Sequence, residues 1–335
     1  MHIHVCGGGG EAGPASRCPE APISALVDAG ITTLVGVLGT DTVSRSQENL
    51  VAKCRALAAE GLTARHWAGG YAYPPPTVTG SAQRDVALLE SCVGVGEVAV
   101  SDHRGSAPTA VELARLASEV RVGGMLSSKA GLTYCHMGTA ASRLDSLRAA
   151  LAAAPGLPRS AFLPTHVERT PELAADGLCW LREGGCVDLT AGKPARVALA
   201  MYYREDPALL ERVSVSSDAF GSWPVFDERG SLTSYQVTAP SQLLACLRAL
   251  VLEDGWPLER ALPLFTSHPA ARLKLARKGR VAAGCDADLL LLDKDSLELR
   301  YVIAGGVVLR TPEWTRGCFY ERGERIRPLL PHVDP

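Results

Sequence analysis

MHIHVCGGGGEAG, residues 1–13, sets two histidines one residue apart, follows them with four glycines and then reaches a glutamate. Alternate positions on a strand share a face, so His2 and His4 point the same way if MHIHV is extended. Whether MHIHV is the stub of a strand decides the fold, and the rest of the chain answers that.

Seven further short apolar runs follow: TTLVGVLG (32–39), TARHWAGGY (63–71), VGEVAVSD (95–102), LTYCHMG (132–138), FLPTHVE (162–168), CVDLTAG (186–192) and RVSVSSDA (212–219). Between them lie segments with apolar residues at helical spacing, among them 48–61, 110–120, 142–154 and 171–185. Continuous apolar strands separated by helices indicate parallel βαβ units. Seven such strands plus a stub predict an α/β fold, a (β/α)8 TIM-like barrel whose first strand is truncated. A barrel of about 250 residues fits within this chain with an appendage to spare. The character changes after residue 277. KGRVAAGCDADLLLLDKDSLELRYVIAGGVVL (278–309) reads as short strands joined by Gly and Asp turns. The predicted division is a barrel over 1–277, a partial β-sandwich appendage over 278–312 and a charged, Pro-rich loose tail over 313–335.

Bulk properties exclude several function classes. The net charge is −2 with no long basic run, which argues against nucleic acid and anionic membrane as partners. No stretch of apolar residues is long enough to span a bilayer, and no secretion signal is visible. The ten cysteines are scattered without a CxxC pair. They read as reduced thiols of a cytoplasmic protein.

Active sites of such barrels lie at the C-terminal ends of the strands. Reading those ends gives His2 and His4 from the stub and Glu97 from the fourth strand, with Asp102 and Arg104 just beyond. The fifth strand gives His136, the sixth His166 with Arg169, and the eighth Asp218 with Ser222. The seventh gives none. Imidazoles and carboxylates converging on one rim form the ligand set of zinc and similar divalent ions. Each residue taken singly also has an ordinary reading: a core histidine, a cap, a rim salt bridge for Arg104 or Arg169, a rim aromatic for Tyr71, a turn for Ser222, a floppy leader for the glycines. His103 reads as a neighbour of the site rather than a ligand, and His66, His268 and His332 as structural.

HxH on the first strand, an acidic bridge on the fourth, histidines on the fifth and sixth and an aspartate on the eighth resemble the amidohydrolase superfamily. HIHVCGGGGEAG, VGVLGTDTVSR, VSDHR, RVGGMLSSKAGLTYCHMG, LPTHVER and VSSDAFGS narrow the resemblance to the isoaspartyl dipeptidase family, over nearly the whole chain. That resemblance implies a zinc-dependent metallopeptidase that cleaves β-aspartyl dipeptides by a metal-activated hydroxide. By the same resemblance His2, His4 and Asp218 bind one metal and His136 and His166 the second. Asp218 also shuttles the proton, Tyr71 donates to the scissile carbonyl and Glu11 receives the α-ammonium. Arg104, Arg169 and Ser222 hold carboxylates, while Thr40 and Gly9 line the pocket. The family assembles into homo-oligomers. Chemistry agrees with these roles: a bound metal lowers the pKa of water to about 7, and arginine forks suit carboxylates.

The chain departs from that family in two places. The family carries a carbamylated lysine where this chain has Glu97, and a carbamate reaches about 3–4 Å further than a glutamate. Either the strand sits closer, the metals shift, or one ion binds in place of two. Glu97 is read as a ligand, its alternative being a buried carboxylate paired with an arginine or histidine. The family also has residues ahead of its HxH that complete the first strand and half of the β-sandwich. Their lack predicts an open barrel seam, unpartnered strands over 278–309, a poorly fixed His2 and a Met1 that is not the natural start. The alternatives in function are an amidohydrolase for another small amide, such as an N-acyl amino acid or a cyclic imide, and an inactive homologue with an assembly or regulatory role.

Overall fold

Every residue of CVGVGEVAV is buried, and the four-residue strands FLPT, VDLT and VSVS are buried throughout. A strand buried on both faces needs cover on both, which a parallel sheet flanked by helices supplies. In the computed structural model, which describes residues 1–226, 232–317 and 321, seven parallel strands stand side by side in chain order. They are β1 (Thr33–Gly36), β2 (Thr63–Ala68), β3 (Cys92–Val100), β4 (Leu132–Met137), β5 (Phe162–Thr165), β6 (Val187–Thr190) and β7 (Val213–Ser216). All seven fall on the runs expected to form them, and the curl they make is that of a (β/α)8 barrel.

The seam between the first and last of these strands is closed, which corrects the expectation of two free edges. Ile3 bridges in parallel to Gly36 on one side and to Ala219 on the other. Its N–H donates to Val35 O at 3.2 Å, its carbonyl accepts from Val37 N at 3.0 Å, and His4 N donates to Ala219 O at 2.9 Å. Two or three residues therefore bridge the ends of both edges. Burial holds them there, because Ile3 and Val5 pack with Leu26, Leu34 and Leu50.

The helices begin where capping chemistry starts them. α1 (Ile23–Asp28), α2 (Gln47–Ala59), α3 (Ala82–Leu88) and α4 (Ala110–Leu126) alternate with the first strands; α5 (Asp145–Ala153), α6 (Pro171–Arg182) and α7 (Lys193–Glu205) alternate with the later ones. Thr109 and Glu112 form a reciprocal capping box at the start of α4. Thr170 caps α6, with Pro171 in its first turn. Leu113, Leu116, Ala117, Val120 and Gly124 form the buried stripe of α4, at helical spacing. A hairpin, β8 (Ser222–Phe226) with β9 (Leu232–Val237), follows β7 and has no counterpart in the sequence reading. α8 (Gln242–Leu252) then returns to the barrel.

At the C-terminal side, β10 (Leu289–Leu292), β11 (Leu299–Ala304) and β12 (Val307–Arg310) pair antiparallel with one another, so these strands are not without partners. Val302, Ala304 and Leu309 bury against the cluster around Ile23 and Leu26 of α1. The start of the expected loose tail is tied down: Arg316 N donates to Leu309 O at 2.8 Å, and Thr315 Oγ1 donates to Asp28 at 2.6 Å. The rest of that tail, with Cys318 and His332, lies outside the described residues except for Glu321. Among the described residues no helix is long and apolar enough to cross a membrane, and every cysteine is free.

Candidate metal centre

The C-terminal strand ends bring six side chains into one buried cluster. His2 and His4 come from the closing segment, Glu97 from β3 and His136 from β4; His166 follows β5 and Asp218 follows β7. All six are buried. His166 and Asp218 leave their strands with φ of 65° and 51°. Left-handed backbone in such residues costs about 1–3 kcal/mol and persists only where the surroundings enforce it. Here it turns both side chains over the barrel mouth. Gly221 makes room beside them, since a Cβ there would stand 2.6 Å from Asp218 Oδ1.

Glu97 sits at the middle of the cluster. Its Oε1 is 3.1 Å from His2 Nε2 and 3.5 Å from His4 Nε2; its Oε2 is 3.0 Å from His136 Nδ1 and 3.3 Å from His166 Nε2. Asp218 Oδ1 lies 3.0 Å from His4 Nε2 and 3.3 Å from His2 Nε2. Three ligand sets have all their donor atoms within 4.8 Å of one another: His2, His4 and Glu97; Glu97, His136 and His166; and His2, His166 and Asp218. β3 thus stands near enough for a glutamate to reach both histidine pairs without the longer carbamate arm.

Electrostatics follow from this packing. Burial favours the neutral form of Glu97, but His2 and His136 beside it outweigh burial and hold the carboxyl well below its usual range. Asp218 is lowered in the same way, against burial, by His2 and His4. Burial favours neutral His2, yet Glu97 and Asp218 raise it from 6.5 to about 8. His166 is pushed well down by burial and by Arg169. Two buried carboxylates among four imidazoles fit divalent cations: Glu97 Oε1 is buried with no hydrogen-bond partner, and a buried charge needs a counter-charge.

A second set of side chains faces the same pocket. Glu11 Oε1 accepts from Thr40 Oγ1 at 3.0 Å and from Ser222 Oγ at 2.8 Å, and lies 3.7 Å from Arg104 Nη1. Its Oε2 is buried without a partner. The Tyr71 hydroxyl is 2.8 Å from His136 Nδ1. Arg169 Nη1 donates to Met137 O at 2.8 Å and lies at the same distance from His136 Nε2. Gly9, Thr40, Tyr71, Arg169 and Ser222 line this pocket together with His4 and Asp218. The glycine run is an ordered loop. Gly9 has φ +76°, and a Cβ there would meet Ser16 O at 2.4 Å. The buried Arg45 ties the loop by donating to the carbonyls of Cys6 and Gly8 at 3.0 and 2.9 Å.

Several supporting residues escaped the sequence reading of roles. Asp102 grips Arg104 through two bonds of 3.0 and 2.8 Å and approaches His136 Nε2 at 3.1 Å. Thr190 Oγ1 stands 2.6 Å from His166 Nδ1. Tyr134 holds His2 Nδ1 at 3.1 Å, so His2 is fixed, contrary to expectation. Tyr134 carried a readable signal: it precedes His136 by two positions and therefore shares its face. His103 is exposed and nears only Asp102, at 3.6 Å. His66 meets Ser91, and His268 meets Val213 O; both serve packing.

Known proteins resemble this chain in fold or in sequence. The crystal structure of a β-aspartyl dipeptidase from Fervidobacterium islandicum AW-1, in complex with a β-Asp-Leu dipeptide, superposes with a TM-score of 0.89 and 40% sequence identity, covering 94% of this chain and 84% of that one. The chain belongs to the amidohydrolase family, among its β-aspartyl-dipeptidase-like members. A model of the Amidohydrolase family matches residues 206–311 of this amidohydrolase. An allantoinase from Solibacter usitatus (strain Ellin6076) is 32% identical over 115 residues, which are 34% of this chain and only 20% of that protein's length. An enamidase shares the fold at 17% identity and a TM-score of 0.59, covering 93% of this chain and 80% of that one.

Proposed function

We propose that this amidohydrolase hydrolyses the isopeptide bond of β-aspartyl dipeptides at a zinc centre formed by His2, His4, Glu97, His136, His166 and Asp218, within a catalytic domain spanning 1–277. The observation that carries this reading is that a carboxylate, Glu11, and an arginine, Arg169, line one pocket with His4 and Asp218 of the Glu97 cluster, while Arg104 stands 3.7 Å from Glu11. A β-aspartyl dipeptide presents one free ammonium and two carboxylates, the complement of that set.

His2, His4 and one oxygen of Glu97, with Asp218, would hold one ion; His136, His166 and the other oxygen would hold a second. When bound, divalent cations act as Lewis acids toward water and the amide carbonyl. Asp218, kept as a carboxylate by His2 and His4, takes a proton from the attacking water and returns it to the leaving amine. Tyr71, whose phenol stays protonated because burial and Glu97 raise it well above 10, donates to the scissile carbonyl oxygen. Glu11 orients the α-ammonium through its unpartnered Oε2. Arg104, Arg169 and Ser222 hold the carboxylates, and Thr40 and Gly9 bound the pocket. A free aspartate and a free amino acid leave.

Elemental analysis paired with an assay on β-Asp-Leu tests this. Hydrolysis that is lost on chelation and restored by zinc is expected. A preference for an N-acyl amino acid or cyclic imide over the dipeptide would overturn the substrate reading. The same reading takes the enzyme to be a cytoplasmic homo-oligomer, which light scattering on the purified protein checks for assembly.

A further inference from the structure

The strand that contributes no residue to the pocket carries a buried carboxylate beneath it. Asp188 of β6 draws its side-chain hydrogen bonds from neutral groups. Four hydroxyls surround it. Tyr134 and Ser216 donate to its Oδ2, the first at 2.7 Å, joined by Thr165 at 3.0 Å, while Ser214 donates to Oδ1 at 2.6 Å. All five residues are buried.

Donor counting fixes the direction of every bond. A carboxylate only accepts, and a phenol has one proton. The Tyr134 proton is committed to Asp188, so the oxygen of Tyr134 offers His2 only a lone pair. The contact of 3.1 Å between Tyr134 O and His2 Nδ1 then requires Nδ1 to carry a proton. Nε2 is then the nitrogen available to a metal ion, and it is the one that faces Glu97, His4 and Asp218. Tyr134 is itself immobilised, stacked on Trp67 at 4.8 Å between ring centres and 9° between planes.

We propose that Asp188, acting through Tyr134, is a positioning residue that locks His2 in the tautomer able to bind a metal ion. The inference rests on His2 being a ligand. Asp188 touches neither substrate nor metal. Its work is to orient a hydroxyl, and that hydroxyl orients the imidazole, as partners of ligating histidines generally do.

The test is competition of the zinc-loaded protein against a chromogenic chelator, read beside the ring 15N shifts of His2. Tyr134→Phe keeps the stack on Trp67 and removes one hydroxyl; it should weaken zinc retention about 10- to 100-fold. Asp188→Asn can present an NH2 to Tyr134, turning the phenol proton toward His2, and should move the His2 ring proton from Nδ1 to Nε2. Ser214→Ala removes a donor to Asp188 without touching Tyr134 and should stay within about twofold of the parent. Should Asp188→Asn not fold, Tyr134→Phe and the tautomer of the parent still decide the matter. Parent-like zinc retention in Tyr134→Phe, or a zinc-loaded parent whose His2 lacks a proton on Nδ1, overturns the inference while a weakened His2→Asn leaves the metal centre standing. If His2→Asn also keeps its zinc, the ligand reading falls and the inference with it.

Discussion

Nε2 of His2 and Oε1 of Glu97 stand 3.1 Å apart, and the other oxygen of the same carboxylate faces His136 and His166. One glutamate on β3 thus joins the two halves of the cluster. A single change at this position should therefore disturb both halves.

Glu97→Gln should lower zinc affinity and reduce the zinc bound per chain, measured by elemental analysis after dialysis. Unchanged zinc content would remove Glu97 from the ligand set. Glu97→Lys tests the reach from β3: with added bicarbonate it should regain activity over the same variant without it. A variant insensitive to bicarbonate would argue against a bridging role for the position.

Arg169 donates to Met137 O and reaches His136 Nε2, with its guanidinium at the pocket wall. Arg169→Met should weaken dipeptide binding by about 1.5–3 kcal/mol for the loss of a charged hydrogen bond. Steady-state kinetics should report this as a KM increase of about 10- to 150-fold. A KM equal to that of the parent would place Arg169 outside the substrate's reach.

Glu11 keeps one buried oxygen without a partner while Thr40 and Ser222 occupy the other. Glu11→Gln should lower kcat/KM on β-Asp-Leu about 10- to 100-fold, the loss of one charge-assisted bond. The analogue lacking the α-amine should be cleaved alike by parent and variant. Equal losses on both substrates would mean that Glu11 supports the loop rather than the ammonium.

His66 is buried against Ser91, and burial lowers its pKa from 6.5 to about 4. The folded state therefore resists a proton that the unfolded chain accepts. The stabilisation from neutral His66 is complete above about pH 6.5 and is lost as pH falls toward about 4. Between about pH 7.5 and 5 the loss should be about 2 kcal/mol, read from urea unfolding at the two values. His66→Gln should flatten that dependence, and an unaltered slope would contradict the assignment.

Much of this was legible in residue order because strands buried on both faces leave unbroken apolar runs. All seven runs formed strands, and TAVE at 109–112 and RTPEL at 169–173 fall at helix starts for reasons of backbone capping. The ligand candidates were legible as well, since barrel topology collects strand ends at one mouth. Less visible was whatever depends on how two distant segments meet. Asp188 sits in an apolar run on the strand that seemed to contribute nothing, and only the packing of β4, β5 and β7 around it surrounds it with hydroxyls. Asp102 was noticed beside Arg104, but its approach to His136 depends on the separation of β3 and β4. The seam was misjudged because the number of residues in a stub says little about how many backbone bonds an edge needs.

The order of residues by itself determined the number of parallel strands, the barrel they build and the identity of the groups at its mouth. Periodicity and strand polarity are local properties, and local properties are written residue by residue. Tertiary structure alone decided that Ile3 closes the ring and that Glu97 is near enough to touch four imidazoles. Those outcomes depend on distances of a few ångströms between residues far apart in the chain, and only the packed core sets such distances.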